Sequence, residues 1–347
     1  MTARHAFVVY KLMATLFGAT TVEVDDPHFA HDLDAMAAAI TPKTKEVFIA
    51  NPNNPTGTLL SQAEIDRFMD KVPDHVIVVF DEAYHEFLEN PPDTLKFVRE
   101  GRNVVVLRTF SKIQGLANLR IGYGLAKPEL IDVLQKTRQP FNVNGIAQAG
   151  ALAGLLDDEH QRKTREITIE GREYLQREFA ALGLEFVPSF ANFVLVKVGD
   201  GKTVFQTLMK RGIIVRDMTS YGLPEWIRVS IGTMEQNIRF PLRSAAPARA
   251  ADAFPRAGGG LSRSNIFAEA ISRRLDRGRD SPGRVRRSPQ RGELAAPVDN
   301  RRRALCPRGG GEECDREWRA LIFRTLRSPA TRMRVDFGSG RPLIARR

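Results

Sequence analysis

Through the first 240 residues, short apolar runs rich in Val and Ile alternate with amphipathic stretches. That alternation predicts an α/β fold with a mainly parallel sheet covered on both faces. Residues 46–50, 76–80, 104–108 and 119–126 read as strands, each a short apolar segment bounded by polar or turn residues. Helices are predicted between them. Ser61-Gln-Ala-Glu64 has the form of a capping box opening a helix, and Pro128 stands where the first residue of another belongs. A long helical stretch over residues 145–182, broken near Asp157 and Asp158, leads into further strand-like runs at 190–198, 213–218 and 226–231. A helix at 203–211 separates the first two of these runs. The pattern predicts a large domain over residues 1–157, then a connecting helix with a smaller α/β domain over residues 158–240.

After residue 240 the periodicity stops, and the charge shows why that boundary matters. Residues 1–240 hold 27 Lys and Arg against 30 Asp and Glu, a net of −3, whereas residues 241–347 hold 25 Arg, no Lys and 11 acids, a net of +14. The basicity of the chain therefore belongs to its tail. A switch from mixed Lys and Arg to Arg alone fits a change of reading frame in GC-rich DNA better than a nucleic-acid-binding segment, and the composition predicts a low-order tail without a packed core. Cys306 and Cys314 both lie there, without the second ligand pair of a zinc site, so no metal is expected. The body carries no thiol, in keeping with a reduced, cytoplasmic setting. The apolar stretch from Ala6 to Ala19 is interrupted by Lys11 and followed by Glu23, Asp25 and Asp26, which argues against a signal peptide. No membrane span is expected either, since that needs a run of roughly 18 apolar residues.

Four polar segments adjoin the predicted strands: Asn51-Pro-Asn-Asn-Pro-Thr-Gly57, Asp81-Glu-Ala-Tyr84, Thr109-Phe-Ser-Lys112 and Arg120-Ile-Gly-Tyr123. In doubly wound folds ligands sit beyond the carboxyl ends of the strands, where these groups would converge. Pyridoxal-phosphate chemistry needs a lysine to bind the cofactor covalently and an acid to keep its ring nitrogen protonated. Lys112 and Asp81 supply that pair. Thr109, Ser111 and Arg120 suit a phosphate, and Asn54 and Tyr84 suit a phenolic oxygen. Taken singly each residue has a plainer alternative: Asp81 a turn or helix cap, Arg120 a surface ion pair, Asn54 part of a turn.

The ordered set resembles the fold-type I pyridoxal-phosphate aminotransferases of class I/II, most closely those acting on histidinol phosphate, over residues 7–240. The spacing agrees too, with 27 residues from Asn54 to Asp81, 31 on to Lys112 and 8 on to Arg120. The resemblance implies that Lys112 is catalytic, that Asp81 meets the ring nitrogen, that Asn54 and Tyr84 bind the phenolic oxygen, and that Ser111 and Arg120 bind the phosphate. It also implies that Phe7 stacks on the ring, although a buried core Phe would suit the sequence equally. Arg228, in Trp226-Ile-Arg-Val-Ser-Ile-Gly-Thr233, would grip a substrate carboxylate, and Asn192 would lie near the site or merely shape its strand. The implied partners are a small-molecule amino donor, a 2-oxo acid and a second copy of the chain in a homodimer.

Aromatic-amino-acid aminotransferases and a phosphothreonine decarboxylase share nearly all these residues, and an inactive fragment or a basic interaction module remains the non-enzyme alternative. The resemblance further implies an N-terminal arm and a glycine-containing phosphate loop ahead of Phe7, so a truncated chain of low activity or none is expected.

Overall fold

The computed structural model describes residues 1–240; the Arg-rich segment 241–347, with Cys306 and Cys314, lies outside the described residues. In chain order the strands are β1 (Thr2–Ala3), β2 (Glu23–Val24), β3 (Glu46–Ala50), β4 (Ile77–Asp81), β5 (Val104–Thr109), β6 (Gly122–Ala126), β7 (Phe186–Val187), β8 (Phe193–Lys197), β9 (Arg216–Asp217) and β10 (Trp226–Ser230). The helices are α1 (Val9–Leu16), α2 (Leu33–Ala38), α3 (Gln62–Met69), α4 (Leu95–Arg99), α5 (Pro128–Thr137), α6 (Gly145–Leu156), α7 (Asp158–Ala181), α8 (Gly201–Met209) and α9 (Met234–Arg239).

One sheet has the order β3-β4-β5-β6. Its first three strands are parallel and β6 runs antiparallel at the edge. Val47, Ile49, Val78, Phe80, Val104 and Val106, in register on one face of the sheet, are all fully buried, and on the other face Val79 and Val105 are buried too. The register sets Ala50 beside Asp81 and Asp81 beside Leu107, so the carboxyl ends of β3, β4 and β5 open side by side. The expected capping box is formed: Ser61 Oγ accepts from Glu64 N–H while the Glu64 carboxylate accepts from Ser61 N–H at 2.7 Å.

The second sheet, β7-β8-β10-β9, is antiparallel throughout. The helix α7 begins at the predicted break, where Asp157 accepts from the His160 N–H at 3.0 Å. It buries Thr168, Gly171, Tyr174, Leu175 and Phe179 along one stripe, which packs with Val194, Val196, Ile227 and Val229 of this sheet.

Three predicted strands are shorter than expected, each because a local bond displaces the ladder. The run from 119 begins only at Gly122, since Arg120 takes a left-handed conformation at φ 51° after a short helical turn. The run from 190 begins at Phe193, because Ser189 Oγ donates to the Phe193 carbonyl at 2.5 Å and accepts from Ala191 N–H at 3.1 Å. In the run from 213, Ile213 N–H is used to close the end of α8 on the Leu208 carbonyl after Gly212 at φ 74°, leaving two strand residues.

Gly57 joins the two sheets. Its carbonyl accepts from Phe190 N–H at 2.8 Å, and at φ 83° a Cβ would run into the Ser189 side chain. Only glycine lets the Asn51–Gly57 loop approach the second sheet this closely. No helix among the described residues is long and apolar enough to cross a membrane.

His31 ties the segment ahead of α2 to the end of β3, with Nε2 at 3.1 Å from the Ala50 carbonyl and the side chain buried. Burial pushes the imidazole down to about 4, against the opposing pull of that carbonyl and of Asp26. The unfolded chain, with an ordinary histidine near 6.5, takes up the proton first as pH falls. Stability from a neutral His31 is therefore complete above about pH 6.5 and is lost as pH falls toward about 4, by roughly 3 kcal/mol at about 1.4 kcal/mol per unit. Urea unfolding between pH 7 and pH 4.5 should show a steeper loss in the native protein than in His31→Gln; parallel slopes would contradict this.

Candidate functional site

The first wall of the site is the loop that leaves β3. Its shape comes from its own side chains: Asn51 Nδ2 donates to the Leu60 carbonyl while its Oδ1 accepts from Leu60 N–H, and Asn53 Nδ2 donates to the His5 carbonyl and to Thr56 Oγ1. These bonds leave Asn54 half-buried at the rim, where its Oδ1 accepts from Arg228 Nη1. Arg228 reaches across from β10 and lies over the Phe193 ring, 4.7 Å from its centre. Its Nε is buried and has no partner among the described residues.

Asp81 ends β4. Its Oδ2 accepts from the Tyr10 hydroxyl at 2.5 Å and its Oδ1 from Ala83 N–H at 3.2 Å. Burial pushes the carboxyl up, while Tyr10, Ala83 and the Lys112 charge pull it back. Tyr84, three residues on, is buried and packs edge-on against Phe193 at 5.3 Å, and burial drives its phenol up to about 12. Lys112 follows β5, with Nζ 5.1 Å from the centre of the Tyr84 ring. Burial and then the Arg228 charge lower its ammonium, Asp81 opposes, and Arg120 adds to the lowering. A lysine lowered in this way yields a neutral amine more readily than an exposed one.

Asn54, Asp81, Tyr84, Lys112 and Arg228 are thus linked by contacts or by one another's charge. The other sequence-selected residues flank them. Thr109 Oγ1 accepts from Ser111 N–H at 3.1 Å, shaping the turn that carries Lys112. Arg120 is exposed, with Nη1 donating to the Ala117 carbonyl at 2.9 Å. Phe7 sits edge-on to Tyr10 at 5.8 Å, in the cluster with Ala3, Ala6 and Ala50. Asn192 is half-buried between Ala191 and Phe193, both packed with Tyr84 and Ile113.

Two features escaped the sequence reading. Tyr10 stands three residues after Phe7, in the first turn of α1, and its N–H donates to the Phe7 carbonyl at 3.1 Å; that short spacing was the available signal. Behind the site, Arg108 Nε donates to Glu82 Oε2 at 2.9 Å with Nη2 in ion-pair contact at 2.8 Å from the same oxygen, and Thr94 donates to Glu82 Oε1. His85 Nδ1 lies 3.2 Å from the same Oε2. The signal here was one acid and one base directly following neighbouring apolar runs. The pair bolts the segment bearing Asp81 and Tyr84 to the one bearing Thr109 and Lys112.

The family described as "Aminotransferase class I and II" matches residues 4–240 of this chain. A histidinol-phosphate aminotransferase of Akkermansia muciniphila is 59% identical over 238 residues, 68% of this chain and 66% of that protein. Histidinol-phosphate aminotransferase 2 of Ralstonia nicotianae is 53% identical over 241 residues, 68% of this chain and 64% of that protein. This chain therefore spans a little under two thirds of the length of these relatives. Among solved structures, histidinol-phosphate aminotransferase from Sinorhizobium meliloti in complex with pyridoxal-5'-phosphate superimposes with a TM-score of 0.65 at 26% identity, covering 79% of this chain and 70% of that one.

Glu82 is 3% exposed and Arg108 15%, so removing the cation strands a buried carboxylate. Arg108→Met should lower unfolding stability by about 3–5 kcal/mol, with Arg108→Lys intermediate because a point charge cannot reproduce the guanidinium fork. Urea denaturation measures both. A loss below about 1 kcal/mol, the scale of an exposed pair, would contradict this account of the bolt.

Proposed function

Because the chain belongs to the aminotransferases of class I and II, we propose that it is a pyridoxal-phosphate-dependent transaminase acting between histidinol phosphate and 2-oxoglutarate. The observation that carries the reading is the convergence of Asp81, Tyr84, Lys112, Asn54 and Arg228 at the open ends of β3, β4 and β5. The residues present fit the cofactor. A buried carboxylate with one donor on each oxygen retains lone pairs for a cationic ring nitrogen, and the orphaned Arg228 Nε awaits an anion. In this proposal Asp81 holds the ring nitrogen, Asn54 and Tyr84 the phenolic oxygen, Thr109, Ser111 and Arg120 the phosphate, and Phe7 the ring face.

When bound, pyridoxal phosphate supplies an aldehyde that takes up the amino group and a ring that draws electrons from the carbon bearing it. Lys112 anchors the cofactor and, once freed as a neutral amine, removes and returns a proton at the substrate Cα. Its lowered ammonium favours that neutral form. Tyr84 is a phenol at neutral pH, and burial, which raises it to about 12, holds it further in that donor form. Arg228 holds the carboxylate of the 2-oxo acid, and Asn192 borders that subsite.

The proposal extends to a homodimeric, cytoplasmic enzyme with a large domain over residues 1–157 and a smaller one over residues 158–240. Support for a second copy comes from exposed apolar side chains, among them Leu16 at 70%, Phe17 at 83% and Ile146 at 77%.

Coupled assay of the 347-residue chain with histidinol phosphate, 2-oxoglutarate and saturating cofactor should give glutamate. Lys112→Ala should lower that rate by about a thousandfold or more, and Asp81→Ala by about a hundredfold. Turnover that survives Lys112→Ala would overturn the reading, and turnover of aromatic amino acids alone would move the substrate assignment.

A further inference from the structure

We infer that Tyr10 is a positioning residue of the cofactor site, whose hydroxyl fixes the Asp81 carboxylate in place and in its anionic form for a cationic ring nitrogen; the inference rests on the proposed function. Tyr10 is 8% exposed and its ring is held on two sides. It stacks on Phe48 at 4.8 Å with 13° between the planes, and Phe7 meets it edge-on. Phe48 belongs to β3, the strand paired with β4, whose last residue is Asp81. The phenol is therefore aimed by the same sheet that carries its acceptor.

Its role as donor follows from chemistry. A carboxylate offers no proton, so the short contact to Oδ2 requires Tyr10 to donate, and burial with the Asp81 charge keeps the phenol far from losing its proton. Without that donor, Asp81 would keep one bond, from Ala83, in surroundings that already favour its neutral form. A neutral Asp81 could not hold a pyridinium. Phe7, just ahead of α1, and Tyr10, in its first turn, thus divide the work in this reading: one faces the ring and the other acts through Asp81.

The test uses the intact chain and two cofactors, pyridoxal 5'-phosphate and its 1-deaza analogue, in which carbon replaces the ring nitrogen. Affinities are measured by equilibrium dialysis for the native protein, Tyr10→Phe, Asp81→Asn and the double variant. Phenylalanine keeps the stack on Phe48, and the ratio of the two affinities cancels any general loosening of the fold. Tyr10→Phe should weaken the natural cofactor about three- to tenfold, the scale of one net hydrogen bond acting through Asp81, and leave the analogue within about twofold. In the Asp81→Asn background the same change should have no effect. Equal weakening of both cofactors, or an undiminished effect without Asp81, would make Tyr10 a packing residue and overturn the inference alone. A native protein that binds neither cofactor would remove the site reading and the inference with it.

Discussion

Two consecutive carboxylates, Asp81 and Glu82, close the central strand of a buried sheet, and the local architecture is organised around satisfying them. Burial raises both. An uncompensated carboxylate in such surroundings costs several kcal/mol. Glu82 meets its needs within the fold, through Arg108, Thr94 and His85. Asp81 meets them only partly, through Tyr10 and Ala83, and keeps room for a further cation. Structural and functional electrostatics are thus divided between neighbours, and the proposed cofactor completes the half that the protein leaves open.

The same division explains how two sheets contribute to one site. The first supplies the strand ends; the second supplies Arg228 and the Phe193 ring beneath it. Contact between them is direct, through Gly57 to Phe190 and Arg228 to Asn54. The α7 helix adds a third tie, with Arg165 Nε donating to the Glu86 carbonyl at 2.7 Å. A substrate anion at Arg228 would compete with Asn54 for the guanidinium, so carboxylate binding would be felt at the loop proposed to hold the cofactor.

Much of this was legible in the sequence because the signals were local. Apolar runs over residues 76–80 and 104–108 located two strand ends to within one residue, and Ser61 with Glu64 located a helix start to the residue. Strand lengths were less legible, since Ser189, Arg120 and Ile213 each commit backbone groups to a turn or cap that no periodicity records. For the candidate site, the sequence pointed to residues within the four motifs and not to Tyr10. Its acceptor lies 71 positions away, and only the pairing of β3 with β4 brings the two together. Arg108 was missed for a related reason: a charge after an apolar run reads as a solvated end until its partner on the adjacent strand is known.

Lys112 is the residue proposed to join the cofactor covalently. Incubating the intact chain with pyridoxal 5'-phosphate, reducing with borohydride and mapping the labelled peptide by mass spectrometry should give one dominant label, on Lys112, because burial and the Arg228 charge lower its ammonium and Asp81, Tyr84 and Arg228 act on it. A label spread over exposed lysines such as Lys11, Lys71 and Lys163, with Lys112 unmodified, would contradict it.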